Sequence, residues 1–157
     1  MAPIEYIPRT RNLYATHQAY RWVVNHDVPW TPVTKPLSAL RVALVSSAGV
    51  YHKNQRPFHT KDDTSIRIIP KSVPVSDLRI AHFGYRTGSA VRDPNCVFPI
   101  ERLRELEKEN FIGEVADQAY TFMGGIYSAR KVRSEVAPRI VELLIKERVD
   151  LLYIVPA

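Results

Sequence analysis

Side chains suited to chemistry gather between His82 and Cys96. His82 carries an imidazole of near-neutral pKa, able to pass a proton or to hydrogen-bond a carboxylate, and Tyr85, Asp93 and Asn95 follow it in a stretch punctuated by Gly84 and Gly88. His82 and Asp93 are therefore the candidate catalytic pair, with Tyr85 and Asn95 as candidate substrate contacts. A structural role stands beside each chemical one: His82 as a structural histidine, Asp93 and Asn95 as caps of a following helix. Cys96 is the only thiol, and beside Val97 and Phe98 it reads either as a buried inert cysteine or as a reactive one. Two small-residue segments are placed to line the same ligand. Ser46, Ser47 and Gly49 offer hydroxyls and backbone N–H groups to an anion, and Met123, Gly124 and Gly125 let the backbone approach a ligand or turn sharply. The phosphate loop Gly-x-x-x-x-Gly-Lys and the three-glycine dinucleotide fingerprint are both absent, and no Ser-His-acid order is defensible. His52, His59, Asp62 and Asp63 form a polar loop whose spacing matches no standard metal site, so no metal is assigned.

The elements that must position these groups read as strands alternating with helices. Val42–Val45 is a continuous apolar run, as in a central strand covered on both faces, and it empties into Ser46–Gly49. Further strands are expected at 66–69, 78–82, 119–123 and 151–155. His82 and Gly124 then follow strand exits, where open α/β sheets bind ligands. Pro99 is placed to open a helix whose apolar positions are Ile100, Leu103 and Leu106, ending near Asn110. A last helix, with Ser134 as its cap, must start close to Pro138, because proline is tolerated only in a first turn. This order predicts an α/β three-layer sandwich with a mostly parallel open sheet of Rossmann-like or flavodoxin-like type, covering 41–157. Before it, residues 1–40 read as an N-terminal arm: a helix from Arg11 to Val24 with Tyr14, Tyr20 and Trp22, then an extended connector from Pro29 to Pro36. The aromatic residues serve burial against the domain or a second subunit, or ligand stacking.

Composition sets the remaining bounds. At 157 residues one domain is the default, and a chain of this size removes roughly 68–70% of its unfolded surface from water. Twenty-two Lys and Arg against 16 Asp and Glu give a formal charge of +6, a bias toward carboxylates or acidic partners. The charges are scattered and accompany no nucleic-acid-binding motif. A single cysteine excludes an internal disulfide, the N-terminus has no signal-peptide apolar core, and no run approaches the roughly 18 apolar residues that span a bilayer. The expectation is a cytoplasmic protein with no nucleic-acid or membrane partner.

Several phrases, in one order along the chain, carry a resemblance: RTRNLYATHQAYRW, RVALVSSAGVY, IAHFGYRT, DPNCVFPIERLRELEKENFIGEV, AYTFMGGIYSAR and the closing LLYIVPA. Together they resemble the selenoprotein B component of glycine, sarcosine and betaine reductases, the related D-proline reductase subunit and short stand-alone relatives. The resemblance implies reductive cleavage of a carbon–nitrogen bond. A selenolate or thiolate attacks the substrate carbon, an amine leaves, and a thioredoxin-type dithiol supplies electrons. It implies a small amine or amino-acid substrate, other reductase subunits as partners and a homo-oligomer. It also implies that no cofactor resides in this chain and that a selenocysteine or cysteine follows just beyond Ala157, lost where a UGA codon is read as stop; the competing expectation is a natural short form whose sheet edge is covered by the N-terminal arm or by another subunit. A non-catalytic small-molecule-binding or assembly subunit is the alternative.

Overall fold

The structure, a computed structural model, describes residues 26–59 and 62–157. The chain divides into two units, Met1–Pro32 and Val33–Ala157. Of the first, residues 26–32 are described and are exposed, without helix or strand; the expected helix from Arg11 to Val24 lies outside the described residues.

Strand β1 (Arg41–Ser46) organises the second unit, and from Val42 to Ser46 every residue is buried. A strand with no polar face must be paired on both edges and covered on both faces. Along one edge β7 (Leu151–Val155) pairs in parallel over its whole length, from Val42↔Leu151 to Ser46↔Val155. Along the other edge two short strands share β1, both parallel: β5 (Glu114–Val115) at its start and β6 (Gln118–Thr121) at its end. β3 (Arg67–Pro70) closes that side antiparallel to β6. The domain is thus a mixed α/β fold with an open, mostly parallel sheet and few helices.

Alternation along β1 divides the core. Val42 and Leu44 pack with Phe98, Ile100, Leu103 and Ala119, and so with α2 (Ile100–Lys108). Ala43 and Val45 pack with Tyr120, Val136, Ile140 and Leu144.

Two expectations are corrected. The stretch 78–82 is not a strand of the main sheet: β4 (Leu78–Ile80) pairs antiparallel with β2 (Val50–His52), which the sequence did not suggest. The cause is Gly49, whose φ of +69° swings the chain off the line of β1 and turns its carbonyl to accept the N–H of Ala81 at 2.9 Å. The last α-helix starts beside Pro138 as expected, but it continues a helical segment that begins earlier. Ser128, not Ser134, caps it, accepting from Lys131 N–H; α3 (Ala129–Lys131) then runs through a π turn (Val132–Val136) into α4 (Ala137–Lys146). Proline at 138 has no N–H for the preceding turn, and the i→i−5 bond from Ala137 to Val132 widens the backbone where a regular turn would clash with its ring.

One face is left bare. Leu152 and Ile154 sit beside Ala43 and Val45 on the side that α4 covers, yet both are exposed, as are Val141 and Ile145 of α4 and Tyr153 on the opposite side. No helix of the described residues is long and apolar enough to cross a membrane.

Candidate functional site

The carboxyl ends of β1 and β6 meet the segment that follows β4. Ser47 N–H donates to the Val155 carbonyl, and the Ser47 carbonyl accepts from Gly124 N–H at 2.7 Å. Its hydroxyl accepts from Ala157 N–H at 2.9 Å. Gly124 leaves little room, since a Cβ there would lie 3.0 Å from the Ala157 carbonyl oxygen and 3.1 Å from Ser47. Gly125 is needed for another reason: a Cβ would enter the ring of Phe83. Phe83 in turn stacks on Tyr127, centroids 6.3 Å apart, and on His82 at 5.9 Å. His82, Ser47, Gly124 and Gly125 are therefore linked through one surface, with Phe83 at its centre.

The His82 ring is held on three sides. Its Nδ1 accepts the Gly84 N–H at 2.9 Å, Phe83 lies nearly parallel to it at 17°, and Tyr85 is 4.7 Å away. Burial depresses the imidazole pKa below its ordinary value. Nε2 is buried and makes no hydrogen bond among the described residues. The Tyr85 hydroxyl donates to the Ala48 carbonyl at 3.0 Å, and burial, with a smaller effect of Cys96, pushes its pKa up.

The other predicted residues serve the frame. Ser46 is fully buried; its hydroxyl donates to the Val97 carbonyl at 2.7 Å and accepts from Ala48 N–H at 3.2 Å, tying the turn Pro94–Cys96 to the end of β1. Asp93 caps that turn, accepting from Asn95 N–H at 3.0 Å and from its side-chain amide. Asn95 also donates to Glu101 at 2.8 Å. Asp93 thus bonds to Asn95 and not to His82, whose ring bonds to Gly84 and to no other group among the described residues. Met123 is buried, its Sδ 3.1 Å from Gly125 N. The buried-cysteine reading is corrected: Cys96 is exposed, because the tight turn that sends Phe98 into the core leaves Cys96 on the outside.

Sequence reasoning missed Phe83 and Tyr127, and it considered Asp62 only as a metal ligand. The Asp62 carboxylate, on a residue with φ of +48°, accepts from Tyr127 N–H at 2.8 Å and Ser128 N–H at 3.4 Å, so the start of α3 already holds an anion. The only sequence signal for the aromatic pair was that each residue lies beside a glycine segment, HFGY and GGIY. Asp63 is fully engaged with Ser65 and the His59 N–H, and among the described residues no group of three or more His, Cys, Asp or Glu could hold a metal.

At the other end of the sheet charges are paired. Arg41 meets Glu114 at 2.5 Å, Asp117 at 2.9 Å and Glu147 at 3.6 Å, and Glu147 accepts from the Tyr120 hydroxyl at 2.5 Å. Burial first, then that carboxylate, drives the Tyr120 pKa far up.

A family model described as glycine/sarcosine/betaine reductase selenoprotein B matches residues 14–155. D-proline reductase subunit gamma of Acetoanaerobium sticklandii is 43% identical over 121 residues, 77% of this chain and 50% of that protein. Sarcosine reductase complex component B subunit beta of Peptoclostridium acidaminophilum is 35% identical over 103 residues, 62% of this chain and 24% of that one. Glycine reductase complex component B subunit gamma of Symbiobacterium thermophilum is 33% identical over 129 residues, 78% of this chain and 30% of its own length. The chain thus spans half the length, or less, of these relatives, and no solved structure matches it. With the match running over almost all of β1 to β7, the chain belongs to the glycine/sarcosine/betaine reductase selenoprotein B family.

Proposed function

We propose that this chain is one component of a multi-subunit reductase that cleaves a carbon–nitrogen bond of a small amine or amino acid, and that Ser47, His82, Phe83, Gly124, Gly125 and Tyr127 form part of the substrate-site wall. The observation that carries the reading is the meeting of two strand ends and the aromatic stack over Gly125, in a chain whose relatives are named as glycine, sarcosine and D-proline reductase subunits. The chemistry needs a selenolate or thiolate that attacks the substrate carbon as the amine departs with the electron pair of the broken bond. A thioredoxin-type dithiol then reduces the resulting adduct. In this reading Cys96, an exposed thiol on the turn Pro94–Cys96, is not assigned as the nucleophile. The nucleophile comes from outside the described residues. The fold is read as half of a doubly wound sheet with helices on both faces, its ligand at the carboxyl ends of the strands in a cytoplasmic protein.

Thiol-dependent release of amine from glycine, sarcosine, betaine or D-proline, with the partner subunits of a reductase complex supplied, tests this. Release that requires the chain is expected; release at an equal rate without it refutes the reading. One observation favours an added assembly role. The exposed face of Leu152, Ile154, Val141 and Ile145, beside an edge of β7 that pairs with no strand among the described residues, is apolar surface of the kind that another reductase subunit covers.

A further inference from the structure

We propose that His82 is a ligand-binding residue that donates a hydrogen bond from a neutral Nε2–H to a carboxylate oxygen, a role that rests on the substrate-site reading above.

The tautomer follows from one contact. Gly84 N–H can only donate, and it lies 2.9 Å from Nδ1, so Nδ1 carries a lone pair and the proton of the neutral ring is on Nε2. An imidazolium would forfeit this bond, and burial already disfavours the charged ring. Nε2–H is then a buried donor with no acceptor among the described residues. Such groups are rare in folded proteins because leaving the bond unmade is costly, and a missing ligand is one standing explanation. The ring cannot relieve the cost by turning. Phe83 and Tyr85 pack against it, and Tyr85 is itself fixed to the Ala48 carbonyl. Gly84 is pressed so close that a Cβ would sit 2.9 Å from the imidazole Cε1. The ring is therefore held in one orientation with one donor unused.

The charges carried by the adjoining segments bear on the acceptor. Arg86 follows four positions later, and Arg130 lies in the first turn after Tyr127, which stacks on Phe83; neither makes a hydrogen bond or ion pair among the described residues. The nearby carboxylate, Asp62, is already committed to the amides of Tyr127 and Ser128. A neutral donor with unpaired guanidinium groups on the adjoining segments suits an anionic oxygen and repels a bare ammonium. The segment carrying the ring lies at the surface, with Phe83, Gly84 and Arg86 exposed. His82 thereby binds and orients; with Nδ1 occupied and Nε2 protonated it is not a general base.

Nitrogen-15 NMR of the imidazoles in the full chain tests both parts. Nδ1 of His82 is expected at a lone-pair shift and Nε2 at a protonated one. Glycine, betaine and D-proline are expected to move the Nε2–H signal, whereas methylamine and choline, which lack a carboxylate, leave it in place. His82→Gln, which keeps a side-chain N–H, should bind D-proline within about threefold of wild type, and His82→Phe about tenfold or more weakly, some 1.4 kcal/mol. A protonated Nδ1, an equal response to methylamine, or unchanged D-proline affinity in His82→Phe overturns the proposal. Loss of amine release with the carboxylate response intact would remove the reductase reading and leave this one standing.

Discussion

Gly49→Ala tests whether the junction between the two sheets is set by backbone geometry. At φ of +69° an L-residue pays about 1–2 kcal/mol for the left-handed conformation. A Cβ there would also run into the Ala81 carbonyl, so β4 has to retreat from the end of β1. Retreat breaks the Ala81 N–H bond to the Gly49 carbonyl, about 1 kcal/mol more. The total is roughly 2–3 kcal/mol, and at roughly 2–4 °C per kcal/mol for a domain of this size the melting temperature should fall by about 5–10 °C. Far-UV circular dichroism against temperature and urea reads both quantities. Gly88→Ala is the control: it opens the short helix α1 (Gly88–Arg92), has no positive φ, and a Cβ meets nothing within 4 Å. It should be neutral, or stabilising by up to about 1 kcal/mol. If Gly49→Ala melts within about 0.5 kcal/mol of wild type, or no lower than Gly88→Ala, the junction is not held as described. Because His82 follows Ala81 directly, the same variant should disturb the His82 NMR signals even below its melting point.

Three further outcomes are expected. The folded-state pKa of His82 is depressed, so the unfolded chain takes up the proton first, and stability should decline as pH falls below about 6.5; His82→Phe should remove that part of the slope in urea titrations at successive pH values. Cys96, exposed and alone, should react with a disulfide reagent in the native protein to one equivalent, while Ser46→Ala, which frees the Val97 carbonyl, should speed labelling and cost about 1–2 kcal/mol in urea melts. Ile154→Lys, at a residue 56% exposed, should leave folding within about 0.5 kcal/mol while weakening assembly with reductase subunits in analytical ultracentrifugation; unchanged assembly would remove the bare face as an interface.

What the sequence disclosed depended on how local the cause was. β1 was legible because four of its five consecutive buried positions, Val42–Val45, form an unbroken apolar run, and α2 because Ile100 and Leu103 fall on one face directly after Pro99. β4 was legible as a strand but its pairing was not, and β2 was missed, since a strand of three residues carries no usable alternation and the pairing is decided by one glycine torsion. Pro138 placed the start of α4 correctly, at Ala137, whereas the helical turns that lead into it through a π turn left no signal. His82 could be picked out as a polar group after an apolar strand. Its partners could not, because Phe83 meets Gly125 and Tyr127 only after the chain has folded back through β5 and β6. Asp62 was seen as a possible metal ligand; its use as acceptor for backbone amides 65 and 66 positions away has no sequence signature.

The two ends of the sheet differ in how their polar groups are satisfied, and that difference separates stability from function. At the amino ends Arg41 gathers Glu114, Asp117 and Glu147, Tyr120 is bonded to Glu147, and Asp150 accepts from both Lys35 and the Arg41 backbone. Arg41 Nε alone is left over there, on a guanidinium whose other nitrogens are occupied. At the carboxyl ends the unused groups belong to neutral side chains: His82 Nε2, on a ring whose Nδ1 is bonded to Gly84, and Thr121 Oγ1 on a fully buried residue in register with Ser46. Aromatic rings that could have been buried, Phe83 and Tyr127, are exposed at that same end. A sequence selected for stability alone would replace these groups, since apolar residues of like size avoid the unmet hydrogen bonds. Their presence where strand ends and glycines converge is what a binding surface requires, because an unmet donor or an exposed ring gains most when a ligand arrives.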